Sequence, residues 1–370
     1  MSNIRVSLGD RSYPIELADS YAELPGRLSA ADLPTHAWVI SHPSLLTRFG
    51  DHLLTPLRRS GYTVHTLPVP ESETSKSSAV AEQLLLRLAK QAATRVPLLL
   101  AFGGGVVGDL TGFVAAVFRR GVPYVQLPTT LLAQVDSSIG GKVGVDVAFA
   151  KNLIGAFYQP RLVLANLALL KMLPTRQLRS GLSEIIKYGV MADPVLFRFL
   201  EQRMDACLAA DLPALRWVVE RCCRIKARIV SQDERETRGR RITLNFGHTV
   251  GHALESITGY TRFTHGEAIA VGMAFASALS VALGRMPERD HARLIRLLVA
   301  AGLPISTDAA AAPRVLRALA YDKKFIEGKL RWVLPRCIGQ VQVDAQVPRE
   351  LIAKVLRRHC GPRTASPPKP

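Results

Sequence analysis

Three histidines and a glutamate stand where they could hold a metal ion. His248 and His252 are four residues apart, so a helix would set both on one face. His265 follows after a loop, in HGE at the start of an apolar helical pattern. Glu184 and Lys187, in SEIIKYG, are three apart on another helix. One carboxylate with two imidazoles suits zinc and leaves a position open for a substrate oxygen. Spacing alone does not choose two among the three histidines, and each histidine also has a plain reading as a core or surface residue.

A second chemistry is suggested by Gly103-Gly104-Gly105-Val106-Val107-Gly108-Asp109. Gly103, Gly105 and Gly108 match GxGxxG, after an apolar strand and at the opening of a helix. That context turns backbone N–H groups and a helix N-terminus toward a pyrophosphate. No acid lies about twenty residues on to hold a ribose, as the usual dinucleotide fingerprint needs. The nearest carboxylates are upstream, Glu71 and Glu73. The plain alternative is a glycine-rich turn that packs helix on strand.

The stretch Pro128–Pro160 mixes hydroxyls (Thr129, Thr130, Ser137, Ser138), glycines and the amines Lys142 and Lys151 with Asn152. It is poor core material and reads as chain wrapped around an anion. Asp136 and Asp146 inside it would repel that anion unless they bind its hydroxyls or order the lysines. A further basic set is Lys226, Arg241, Lys323 and Lys324, whose plain reading is solvated surface. Asn245, three residues before His248, falls on roughly the same face.

These groups need a scaffold. Residues 4–17 alternate about Gly9-Asp10, which predicts a hairpin. Strands at 36–41, 63–69, 96–102, 122–128 and 162–167 then alternate with helices at 44–59, 76–93 and 106–119. This order predicts a parallel α/β sheet with ligands at the carboxyl ends of its strands. Helical patterns follow at 176–191, 194–209, 215–231, 243–257, 267–283 and 288–301, then a short hairpin and a last helix at 349–358. The expected division is therefore an α/β Rossmann-like domain, 1–172, an all-α domain, 173–360, and a disordered Pro-rich tail, 361–370.

The chain of 370 residues has 48% apolar content and a formal charge of +18. The charge favours anionic partners. The basic residues are spread along the chain without interleaved aromatics, which argues against nucleic-acid binding. No export signal is visible at the N-terminus, and the five cysteines lack metal-type CxxC spacing. A cytoplasmic protein with reduced thiols is the expectation. The longest uncharged run, Ala268–Gly284, is short for a bilayer span and reads as a buried helix, with no membrane contact.

Taken together and in order, GGGVVGDLTGF, the block from PTTLLAQVDSSIGGK to KNLIGAFYQP, SGLSEIIKYG, LNFGHTVGHALE, HGEAIAVGM and DKK resemble the 3-dehydroquinate synthase family of sugar phosphate cyclases. The resemblance spans roughly residues 60–340. It implies an NAD- and divalent-metal-dependent lyase with its active site between two domains. The implied substrate is 3-deoxy-D-arabino-heptulosonate 7-phosphate, and the products are 3-dehydroquinate and phosphate. Transient oxidation, phosphate elimination, re-reduction and an intramolecular aldol closure give no net redox change. By match to the family pattern, Glu184, His248 and His265 would hold zinc or cobalt, with His252 near the substrate. NAD would contact Glu71, Glu73, Lys76, Gly105, Val106, Val107, Gly108, Asp109, Thr129, Thr130, Lys142, Lys151, Leu169, Leu170, Lys171 and Met172. The substrate would be surrounded by Asp136, Lys142, Asn152, Lys187, Lys226, Arg241, Asn245 and Lys324 or its neighbour Lys323. A homodimer is the family expectation. The chain departs from the pattern by one extra residue between Lys226 and Arg241, and by Ser41-His42 at the end of the 36–41 strand.

Overall fold

The computed structural model describes residues 4–92, 95–147, 150–308, 312–319, 325–326 and 329–360. Lys323, Lys324 and the expected disordered tail lie outside them. The side chains of Lys151 and Asn152, which sit within a strand, are likewise not described. The chain forms two units. The first comprises Met1–Leu173 with Ala210–Arg235, and the second Pro174–Ala209 with Glu236–Pro370.

The first unit is built on β1 (Ile4–Val6), β2 (Tyr13–Ala18), β3 (His36–Ser41), β4 (Thr63–Pro68), β5 (Leu98–Gly103), β6 (Tyr124–Pro128), a hairpin of β7 (Lys142–Val147) and β8 (Ala150–Phe157), and β9 (Leu162–Asn166). Its helices are α1 (Leu24–Ala30), α2 (Pro43–Arg59), α3 (Ser78–Gln91) and α4 (Gly105–Val117). Seven strands form one sheet in the order β1-β2-β9-β6-β5-β3-β4, parallel except for the β1–β2 hairpin. The central strands are mostly apolar and buried along nearly their whole length because both faces are covered. Trp38, Ile40, Leu99 and Ala101 pack against α3 and α4 on one face. Val39, Leu98, Leu100 and Phe102 pack with α1 and α2 residues on the other. Ser41, at the place of the family departure, is buried and its hydroxyl donates to the Phe102 carbonyl at 2.6 Å.

The helical half begins at α5 (Thr175–Ala192), followed by α6 (Pro194–Leu208), α7 (Leu212–Gln232), α8 (His248–Ile257), α9 (His265–Ala282), α10 (Glu288–Ala300), α11 (Ala312–Leu319) and α12 (Arg349–His359). A hairpin of Trp332–Cys337 with Gln340–Asp344 completes it. The packing differs from a single division after residue 172. Helix α7 belongs to the first unit, where it packs on β1, β2 and the turn Ala133–Ser137. Its residues explain this: Ser231 Oγ accepts from Ser7 N at 2.8 Å, and the buried Cys223 thiol lies 3.3 Å from the Gln134 carbonyl. Helix periodicity shows that α7 has an apolar face, but not which core receives it.

In the second unit α8 and α9 cross at near backbone contact. A Cβ on Gly272 would stand 1.9 Å from the Gly247 carbonyl oxygen. Gly247 itself takes φ +80°, which breaks the helical pattern expected from 243 and starts α8 at His248. Helix α9 is the one helix among the described residues long and apolar enough to cross a membrane, and it is 72% buried within the protein.

Gly272→Ala is therefore expected to destabilise the protein by about 1–3 kcal/mol or more through overpacking. Gly26→Ala, at an exposed position of α1 with nothing within 4 Å of its Cβ, should be neutral or stabilising by up to about 1 kcal/mol. Urea denaturation of the two variants checks this; equal stabilities would contradict the close crossing.

Candidate functional site

Each unit brings one group of predicted residues together. In the first unit they gather at the carboxyl ends of the parallel strands. Strand β5 ends at Gly103, and α4 starts at Gly105 with no side-chain cap on its first N–H groups. The glycines divide their tasks. A Cβ on Gly103 would meet Val107 Cβ at 2.6 Å, and one on Gly108 would meet Gln126 Oε1 at 2.8 Å, so these two serve helix-on-strand packing. Gly104 and Gly105 instead face Thr130 and Ser137, at 3.2 and 3.0 Å from their Cβ positions. Uncapped N–H groups there suit a diphosphate.

The loop after β6 is tied to this cradle. Thr129 N donates to the Gly103 carbonyl at 3.0 Å, and Thr130 Oγ1 accepts from Ala133 N at 3.2 Å. Lys226 Nζ, from α7, donates to both Asp136 Oδ1 (2.7 Å) and the Asp136 carbonyl (2.6 Å). The aspartate expected to repel an anion is thus paired with a lysine that also holds the turn. Lys142 opens β7 and is exposed.

Lys76 is buried and donates to Asp109 Oδ2 at 2.5 Å. Burial pulls both groups toward neutrality. At the lysine the carboxylates of Asp109, Asp146 and Glu73 outweigh that effect and hold its pKa above the ordinary value; at Asp109 burial wins over the Lys76 charge and raises the carboxyl. Asp146 N also donates to the Lys76 carbonyl at 2.7 Å, which fastens the β7–β8 hairpin to this segment. Glu71 is exposed and accepts from Ser44 N at 2.7 Å, in the first turn of α2. Hydrogen bonding to Ser44 lowers its pKa. Glu73, Lys171 and Met172 are exposed and Val106 is half-buried. Val107, Leu169 and Leu170 are buried in the core, so only their backbone is placed to meet a ligand.

In the second unit, α5, α8 and α9 converge. A Cβ on Gly266 would stand 2.1 Å from the Ser180 carbonyl, and Gly266 N donates to Ser180 Oγ at 3.0 Å. This approach brings the first residue of α9, His265, to the turn of α5 that carries Glu184. Glu184 is fully buried, and among the described residues its Oε1 accepts no hydrogen bond. Lys187 Nζ forms a close ion pair with Oε2. Oε1 faces Nε2 of His248 and Nε2 of His265, each at 3.8 Å. The outer nitrogens have other neighbours: His248 Nδ1 lies 3.1 Å from the Phe246 carbonyl, and His265 Nδ1 lies 3.4 Å from both oxygens of Glu255.

This arrangement fits a divalent cation. Donor atoms around tetrahedral zinc lie about 3.4 Å apart, close to the spacing seen here. A buried carboxylate oxygen such as Oε1, with only the two imidazole nitrogens facing it, is otherwise costly. His252 stacks edge-on to His248 at 5.2 Å between ring centroids but is exposed. It also belongs to a second possible donor group with Glu255 and His265. Arg241 is buried and Asn245 half-buried, both on the turn Arg241–Asn245 that leads into Gly247; Asn245 Nδ2 lies 3.5 Å from Glu236 Oε1. Sequence reasoning missed Glu255, although it lies seven residues after His248 on one helix face. It also missed Ser180 and Gly266, for which only HGE in contact with SGLSE, unknowable from spacing, would have been a sign.

Sequence models of the 3-dehydroquinate synthase N-terminal and C-terminal domains match residues 66–180 and 181–325. A 3-dehydroquinate synthase of Pelotomaculum thermopropionicum is 45% identical over 364 residues, 98% of this chain and 98% of that protein. Among solved structures, the 2-epi-5-epi-valiolone synthase ValA of Streptomyces hygroscopicus subsp. jinggangensis, with NAD+ and Zn2+ bound, superposes with a TM-score of 0.86 at 26% identity, covering 95% of this chain and 97% of that one. A 2-deoxy-scyllo-inosose synthase complexed with carbaglucose-6-phosphate, NAD+ and Co2+ gives 0.85 at 26%, covering 97% and 100%. The α/β sheet with its glycine turn, the helical half with its Glu–His–His cluster, and this likeness along nearly the whole length lead to one conclusion: the chain belongs to the 3-dehydroquinate synthase family.

Proposed function

We propose that this protein converts 3-deoxy-D-arabino-heptulosonate 7-phosphate into 3-dehydroquinate and phosphate, with NAD and a divalent cation, zinc or cobalt, as cofactors. The observation that carries this is the near-full-length likeness to proteins named for that reaction. The Glu184–His248–His265 cluster supports it by offering the donor set the reaction needs.

When bound, the cation supplies a Lewis acid toward a substrate oxygen, and NAD supplies a reversible hydride acceptor. The protein's part is to hold and orient. The start of α4 at Gly104–Gly105, with Thr129 and Thr130 behind it, receives the diphosphate of the dinucleotide. Lys76 and Asp109 fix α4 and the β7–β8 hairpin beside that cradle and shape it without touching the reacting atoms. Glu184 is placed between Lys187 and the two imidazoles. Lys142, Lys187, Lys226, Arg241, Asn245 and Asn152, with Lys324 from the segment beyond the described residues, are the groups suited to a phosphate, a carboxylate and ring hydroxyls. His252, on the solvent side of the cluster, exchanges a proton with a substrate hydroxyl at its ring nitrogen. The exposed apolar residues Leu153, Ile154 and Phe157 on β8 favour the homodimer that the family implies. A cytoplasmic location agrees with the absence of a disulfide among the described residues.

Phosphate release from the heptulosonate phosphate is expected at one equivalent per dehydroquinate formed, with no lasting change in absorbance at 340 nm. Accumulating NADH would instead mark a polyol dehydrogenase, and turnover of sedoheptulose 7-phosphate alone would mark a sibling cyclase. Glu184→Gln and His248→Ala should each lose bound metal in elemental analysis and lower kcat/KM by about a hundredfold or more. Dialysis against a chelator should abolish turnover and added zinc or cobalt restore it; full activity of the chelated enzyme would remove the metal from the mechanism.

A further inference from the structure

We propose that Glu255 is the positioning residue of the metal centre: it fixes the tautomer and ring orientation of His265. The proposal rests on the metal reading above and extends it to a residue outside the ligand set. Glu255 is buried, 6% exposed, and lies on α8, whereas His265 opens α9. Both carboxylate oxygens stand 3.4 Å from His265 Nδ1. On the other side of the same ring, Nε2 faces Glu184 Oε1 at 3.8 Å.

A neutral imidazole has one N–H and one lone pair. Held between two carboxylates, the His265 ring can serve a cation on the Glu184 side only if Nδ1 carries the hydrogen. Glu255 selects that form by accepting the Nδ1–H bond, and its negative charge makes Nε2 a stronger donor. His248 reaches the same tautomer by a different means, since its Nδ1 faces the Phe246 carbonyl, which the left-handed Gly247 turn sets in place. One ligand is thus oriented by backbone and the other by a side chain. Glu255 also lies within 4.8 Å of a His252 ring nitrogen, which places the same carboxylate near a second histidine of α8.

Glu255→Gln keeps shape and an acceptor oxygen but removes the charge, and Glu255→Leu removes both. Zinc affinity is measured by competition with a chromogenic chelator, cobalt coordination by the visible spectrum, and folding by melting of the metal-free proteins. The expected result is affinity about tenfold weaker for Gln and about a hundredfold weaker for Leu. The cobalt spectrum should change, while the metal-free Gln variant melts within a few degrees of wild type. Unchanged affinity and spectrum in the Gln variant would overturn the proposal, whether or not the Leu variant folds. So would a lower melting point of the metal-free Gln variant with wild-type affinity in its folded fraction. Two ions per wild-type chain, one of them lost in Glu255→Gln, would make Glu255 a ligand of a second ion instead. A wild-type protein that binds neither zinc nor cobalt would overturn the metal reading itself, and this proposal with it.

Discussion

The constraint on which the second unit turns is the buried carboxylate of Glu184. Taking an ionised carboxylate out of water costs several kcal/mol even after the protein relaxes. The structure offsets that cost with a lysine one helical turn away and two imidazoles presented from other helices. Those imidazoles arrive only because backbone meets backbone. Gly266 lies against Ser180, and Gly272 against Gly247, where any side chain would intrude. The composition of α9, rich in Ala, Gly and Ser, follows from the same need. It lacks an amphipathic stripe because it is buried nearly all round and must let two neighbouring helices approach.

The first unit solves a related problem with ammonium–carboxylate cross-links. Lys76–Asp109 joins the segment after β4 to α4, and Lys226–Asp136 joins α7 to the turn after β6. Each lysine also meets main chain: Lys226 Nζ donates to the Asp136 carbonyl, and the Lys76 carbonyl accepts from Asp146. The ion pairs are mostly buried, so salt screens them little. They secure three loops around one helix start.

The regular elements were legible because their periodicity is strong. Strand β3 falls on 36–41 as the apolar run implies, and α5, α6, α9, α10 and α12 begin and end within a residue or two of their patterns. Two features were not. Pro128–Pro160 reads as a wrapping loop because its glycines and hydroxyls hide the alternation of β7 and β8; Gly144 and Gly155 face each other across that hairpin, where backbone contact takes the place of side-chain packing. The helical pattern from 243 is broken by a single residue, Gly247, whose positive φ no periodicity reveals. In the site, residue types pointed to one glutamate and three histidines, and the family resemblance picked Glu184, His248 and His265 from among them. Glu255 stayed hidden, since its role depends on the crossing of two helices rather than on spacing along one. Val107, Leu169 and Leu170 show the converse: a motif match names them, but burial leaves only their backbone for a ligand.

Helix α7 has a consequence for how the protein is made. The first unit lacks one of its layers until Gln232 has been synthesised, about 60 residues after Leu173 closes its main segment. At roughly 5–20 residues per second, the α/β sheet waits some seconds for that helix. During this interval α5 and α6 have already emerged, although their partners α8 and α9 have not. The outer side of β1 and the turn Ala133–Ser137 stay open to water, and the Asp136 carboxylate has no lysine from α7. Neither unit can be finished before the other is under way, so the nascent chain carries two incomplete cores at once and matures as a pair.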